Sequence, residues 1–260
     1  MQHATVSVGD HLRAWRQRRR LSQLDLALEA DISTRHLSFI ETGRSLPSRD
    51  MVLHLAERLD IPLRERNALL VAAGYAPVFP QRSLDDPALR SARQAVDLVL
   101  KGHEPYPAIA VDRHWTLVSA NAAVPPLLAG AEAGLLEPPV NVLRLSLHPG
   151  GISPRIVNLA EWRAHLIARL HRQIDLTADP VLMELMNELR SYPGPRTAKA
   201  ACDAYGGVVV PLQLATPAGT LSFLSTTTVF GTPVDVTLSE LAIEAFFPAD
   251  AATAEAVRGM

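Results

Sequence analysis

The sequence has one cysteine, Cys202, in 260 residues. A lone cysteine closes no internal disulfide and supplies no paired-cysteine zinc site, so the expectation is a reducing, cytoplasmic setting. No run of 18 apolar residues occurs, which argues against a membrane-spanning helix. The first 20 residues are polar and arginine-rich and lack the apolar stretch of a secretory signal. The signatures of catalysis are also missing. There is no H-E-x-x-H and no glycine-rich phosphate loop. Gly151-Ile-Ser153 is followed by Pro154-Arg155, so the second glycine of a nucleophile elbow is absent. His165 and His171 stand six apart on an expected helix, off any common ligand face. The chain therefore reads as a non-enzyme without metal or cofactor, and a hydrolase is the weakest alternative.

Charge is sparse, at 20% of residues with a net of −2, against 48% hydrophobic content. Its placement is uneven. Residues 1–80 hold 11 Lys/Arg against 9 Asp/Glu, and five of those bases fall between Arg13 and Arg20. A local basic patch on a near-neutral chain suits a reader of defined nucleic-acid sites better than a protein that coats DNA indiscriminately.

Periodicity divides the first part into short helices. Val8, Leu12 and Trp15 repeat at helical spacing. Ser22 with Asp25 forms a capping-box pattern opening a second helix, whose expected apolar face is Leu24, Ala27 and Leu28. Asp31 stands at the following turn, a residue that tolerates the left-handed conformation. Ser33 caps a third helix with Leu37 and Ile40 inward and Thr34, Arg35 and Ser38 outward. Ser48 caps a fourth helix, and Pro62 opens a fifth.

This order resembles the Cro and phage-repressor (XRE-like) class of helix-turn-helix domains over about residues 8–74. The resemblance implies double-stranded DNA as partner. Gln23 matches the phosphate-contacting position, and Thr34, Arg35 and Ser38 match positions that read base edges. Phe39 touches a thymine methyl or is half-buried. Arg44 and Arg49 suit flanking phosphates. Arg16 and Arg19 are either backbone contacts or a solvated face, and Glu41 reads as structural, with Arg44 its expected partner.

Prolines at 77, 80 and 87 mark a change of composition. The expected organisation is a DNA-binding domain at 1–76, a linker at 77–88, a second domain at 89–250 and a tail at 251–260. In the second domain a helix is expected from Pro87 to Lys101, strands at 108–112 and 115–119, and a helix beginning at Asn121-Ala122. Helices are expected again at 159–173 and 179–189, and a hairpin of 208–214 with 220–229 turns at Pro217-Ala218-Gly219. That is an α+β domain with an antiparallel sheet, so the fold class is multi-domain: an all-α five-helix domain followed by a PAS-like α+β domain.

The stretches His103-Glu-Pro-Tyr-Pro, Asp112 to Asn121, Asn141-Val-Leu-Arg144, Leu147-His-Pro149, Asn158-Leu-Ala-Glu-Trp162 and Phe230 to Asp235 carry a more specific resemblance, continued by Leu238 to Asp250. They resemble the MmyB-like regulators, which join an XRE-like domain to a PAS-like ligand-binding domain. The resemblance implies a transcription regulator whose second domain takes a small apolar or fatty-acid-like effector. Arg144 and His148 are candidates for a carboxylate head group, and Asn158, Trp162, Phe223 and Phe230 for further contacts. Each has a plainer alternative: His148 fixing a turn, Asn158 capping the following helix, Trp162 in the core. A homodimer is expected, because helix-turn-helix proteins commonly read two half-sites. A ligand-free dimerisation scaffold stays open as the alternative role of the second domain.

Overall fold

The computed structural model describes residues 7–194, 210–217, 219–231 and 235–259. These fall into two compact units, one holding the chain up to Arg82 together with a short segment ending at Ser239, the other holding the rest. Cys202, Val208, Val209 and the turn residue Ala218 lie outside the described residues.

The first unit contains α1 (Val8–Arg18), α2 (Gln23–Glu29), α3 (Thr34–Glu41), α4 (Arg49–Arg58) and α5 (Leu63–Ala72). Serine opens four of them. Ser7, Ser22, Ser33 and Ser48 each accept a hydrogen bond from the backbone N–H three residues on, and Asp10 and Asp25 complete capping boxes at the first two. Each such cap contributes about 1 kcal/mol. Asp31 takes the left-handed conformation at the turn, with φ 51°. Leu12, Leu26, Leu37, Ile40, Leu55 and Leu70 make the centre of the core.

Two expectations need correction here. The buried face of α2 is Leu26 and Ala27, continued by Ala30, whereas Leu24 and Leu28 are 56% and 71% exposed. Both pairs, 24/28 and 26/30, have helical i,i+4 spacing. The stripe that packs is the one carrying two alanines, which allow neighbouring helices to come close. Glu41 pairs with Arg16 rather than Arg44. At Gly9, α1 passes so near the end of α3 that a Cβ would lie 2.5 Å from the Ile40 carbonyl oxygen. Only glycine fits that crossing.

The unit ends in a polar clasp. Asn67 accepts the Val78 and Phe79 N–H groups and donates to the Phe79 carbonyl. The segment Asp235–Ser239, which contains a turn of helix at Val236–Ser239, belongs to this unit. The Val236 N–H donates to Pro80 O at 2.8 Å, Thr237 Oγ1 donates to Arg82 O at 2.6 Å, and Arg82 pairs with the buried Asp235 at 3.2 Å.

The second unit opens with α6 (Arg90–Gly102) after a 3-10 turn at Pro87–Leu89. Its sheet comprises β1 (Ala108–Val111), β2 (Leu117–Ala120), β3 (Leu212–Thr216), β4 (Gly219–Val229) and β5 (Ala242–Pro248), all antiparallel, in the order β2-β1-β5-β4-β3. Alternation along the strands sorts side chains to two faces. Ala108, Ala110 and Ile243 face Val96 and Leu100 of α6. Ile109, Leu212, Leu214, Leu221 and Phe223 face the opposite way, into the larger core. That core is completed by α8 (Val142–Leu147), α9 (Leu159–Thr177) and α10 (Pro180–Ser191), with the helix Ala251–Arg258; a short α7 (Ala133–Leu136) lies outside it.

The 108–112 strand and the two long middle helices stand where expected. The hairpin forms with its first strand at Leu212–Thr216 rather than 208–214, residues 208–209 lying outside the described residues, and the strand expected at 115–119 runs at Leu117–Ala120. The helix expected at Asn121 does not form. Asn121 is buried, donates to Leu100 O and Tyr106 O and accepts the Ala108 N–H, so its side chain ties α6 to β1; a 3-10 turn follows at Pro125–Leu128. Strand β5 was not anticipated, although it is central in the sheet.

Candidate functional site

On the first unit, the back of α3 is fixed by Leu37 and Ile40, both fully buried. The helix starts behind a serine cap and a left-handed turn, so its outward row is set by local sequence. Arg35 is exposed on that row, with Thr34, Ser38 and Phe39 half-buried beside it. The Arg35 guanidinium lies 5.2 Å from the Phe39 ring centre and that of Arg44 5.8 Å from the same ring. Cation–π contact of this kind holds two cations against α3. Arg49 is exposed at the start of α4.

Gln23, at the first position of α2, donates through Nε2 to Glu41 Oε2 at 2.7 Å. The amide keeps a second N–H. Glu41 is 5% exposed and also receives Arg16 Nε at 2.6 Å and Nη2 at 2.9 Å. Arg16 also donates to Leu21 O. The carboxylate raises the Arg16 pKa further above its ordinary value, the hydrogen bond being the main cause. Arg19 donates to Leu59 O and Asp60 O at the end of α4. Arg16 and Arg19 thus brace the helices internally.

The second unit holds a partly open cavity of about 120 Å³ between the inner face of the sheet and the helices beside it. Its wall is mostly apolar: Ile109, Trp115, Leu117, Val142, Leu143, Leu166, Leu212, Phe223 and Phe246 among others. Of the candidates for ligand contact, Trp162 and Phe223 are in that wall. Trp162 donates through Nε1 to Ser146 Oγ at 2.9 Å and stacks on His165.

The other four candidates stand outside it. Arg144 forms an exposed bidentate pair with Glu188. His148 Nδ1 accepts the Gly150 N–H, fixing the turn through Pro149. Asn158 makes no cap on α9; it donates to Pro211 O and accepts the Gln213 N–H, tying the helix start to β3. Phe230 packs with the small core on the α6 side of the sheet. Ser153, the would-be nucleophile, is buried with its hydroxyl donating to His148 O.

The polar side chains that do reach the cavity are ones the sequence did not single out. Arg169 of α9 donates through Nη1 to Glu244 Oε2 at 2.8 Å and through Nη2 to Glu244 Oε1 and to Thr227 Oγ1. Its guanidinium lies 4.6 Å from the centre of the Trp115 ring. Trp115 has a positive φ of 65°, uncommon for a bulky residue, and its Nε1 donates to Gln173 Oε1. One signal was available: Trp162, Leu166, Arg169 and Gln173 form a single helical stripe, so a charge and an amide stand where apolar residues are due.

Among the described residues no group of His, Cys, Asp or Glu could hold a metal ion, and no helix is long and apolar enough to cross a membrane. Comparison with protein families gives two matches. Residues 12–66 match a helix-turn-helix family, and residues 92–260 match the MmyB-like transcription regulator ligand binding domain. No curated protein matches the chain.

Proposed function

Because the chain belongs to the family of MmyB-like transcription regulators, with a helix-turn-helix domain ahead of the ligand-binding domain, we propose that it is a cytoplasmic homodimer that reads a defined operator under control of a small apolar effector. The observation that carries the reading is a pair of features in one chain. One is a recognition helix with an exposed Arg35 on a fully buried back; the other is an apolar cavity in the second unit.

DNA contact would begin with α3 in the major groove. Arg35 suits a bidentate bond to guanine, with Thr34, Ser38 and Phe39 against neighbouring bases. Arg44, Arg49 and the remaining N–H of Gln23 suit phosphates on either side. The effector would act by binding one arrangement of the dimer better than another, since equal affinity for both shifts nothing. The cavity favours this over a ligand-free scaffold, because a scaffold gains nothing from an unfilled core.

Selection of bound sequences from a random pool, followed by mobility shift, tests the DNA claim. Arg35→Ala is expected to cost about 1–3 kcal/mol and to relax preference at one base position. An unchanged site preference would remove Arg35 from its role. Mass spectrometry of small molecules released from the purified protein tests the effector claim.

A further inference from the structure

We propose that the cavity of the second unit takes an uncharged molecule, one without an ionised head group. This rests on the reading of that cavity as the effector site and specifies the chemistry of the effector.

Among the described residues, the charged side chains in the wall are Arg169 and Glu244. They meet each other's requirements. Two nitrogens of the guanidinium are spent on the two oxygens of Glu244, one of them also on Thr227, and its flat face rests on Trp115. Glu244 is 3% exposed and also accepts from Thr227 Oγ1 at 3.0 Å. A ligand carboxylate that reached Arg169 would therefore arrive beside an existing carboxylate. Either two anions share one cation in a desolvated site, or Glu244 is displaced and left as a buried, uncompensated charge. The groups that would receive an acid elsewhere do not help, since Arg144 is bound to Glu188 outside the wall and His148 is occupied by its own turn.

The remaining polar side chains of the wall are neutral. Ser146 accepts the Trp162 indole N–H, which leaves its own proton to donate, and Ser225 offers a second hydroxyl. An ester, ketone, ether or alcohol oxygen matches hydroxyl donors. The volume is on the scale of the apolar cavity of ~150 Å³ that holds benzene in a well-studied engineered case. A ring or a short alkyl chain bearing one such oxygen fits.

The test compares binding of three compounds of one chain length: octanoate, 1-octanol and methyl octanoate. Each is titrated into the full-length protein at neutral pH and followed by isothermal titration calorimetry. The alcohol and the ester are expected to bind about tenfold or more tighter than the acid. In Glu244→Gln the acid should gain about tenfold, because Arg169 then faces the cavity with its charge uncompensated. Octanoate equal to or tighter than octanol in the natural protein overturns the proposal, and this comparison decides the matter even if E244Q does not fold. An unchanged ranking in a folded E244Q also overturns it. Failure of all three compounds to bind would instead overturn the effector reading on which the proposal rests.

Discussion

Glu41 shows how one side chain can fix a helix that it ends against two others. It closes α3, but its carboxylate gathers Arg16 of α1 and Gln23 of α2. Removing one member of a buried ion pair typically costs about 3–5 kcal/mol, because the other is left as an uncompensated charge. The three helices are thereby held in register. His165 carries a different consequence. Burial, and then the nearby Arg169 and Arg172, hold its pKa below the ordinary 6.5, so the folded protein keeps it neutral. The unfolded chain takes up a proton near that ordinary value, and the folded chain does so only at lower pH. Stability at this site is thus complete above the unfolded pKa and is lost as pH falls from there through the depressed folded value. Denaturant titrations between neutral and mildly acidic pH should show that loss, and His165→Phe, which keeps a ring against Trp162, should make the curve shallower. An identical pH slope in the variant would remove His165 as its source.

At the scale of elements, the closest approach in the first unit is that of α1 to the end of α3. Gly9→Ala would drive a methyl carbon to 2.5 Å from Ile40 O. Backbone cannot move aside cheaply, so about 1–3 kcal/mol of stability should be lost, and operator affinity with it as α3 shifts. Thermal melts and mobility shifts on the same preparation check both effects, and a variant that melts with the natural protein would show that the helices can separate at no cost. The sequence disclosed elements in proportion to how local their causes are. Serine caps and the Asp31 turn are set within four residues, and they were legible. The buried side of α2 was not, because Leu24/Leu28 and Leu26/Ala30 flank Ala27 at equivalent helical spacing until neighbouring helices choose between them. Asn121 misled because an asparagine after a strand also suits a helix cap, while its actual bonds reach to Leu100 and Tyr106. In the cavity, Trp162 and Phe223 were legible as large apolar residues in patterned segments. The pairing of Arg169 with Glu244 spans 75 positions, and nothing in the local sequence of either residue names the other.

For the molecule as a whole, the two units are not two consecutive lengths of chain. The first contains Asp235–Ser239, and Arg82 and Asp235 are bonded across 153 positions. Asp235→Ala should therefore weaken the first unit selectively, by about 1–2 kcal/mol given the partial exposure of Arg82. Amide hydrogen exchange reads the two units separately. Faster exchange in α5 with β4 and β5 unchanged is the expected pattern, whereas equal loss throughout would mean the clasp has no local effect. This layout also has a consequence for biosynthesis. The segment that clasps the five helices follows them off the ribosome on the order of ten seconds later at common elongation rates, given the length of chain between Ala72 and Asp235. Helices form far faster than that. Each nascent chain therefore holds its DNA-reading helices for seconds without their last bonded piece. A product of early termination would never acquire it.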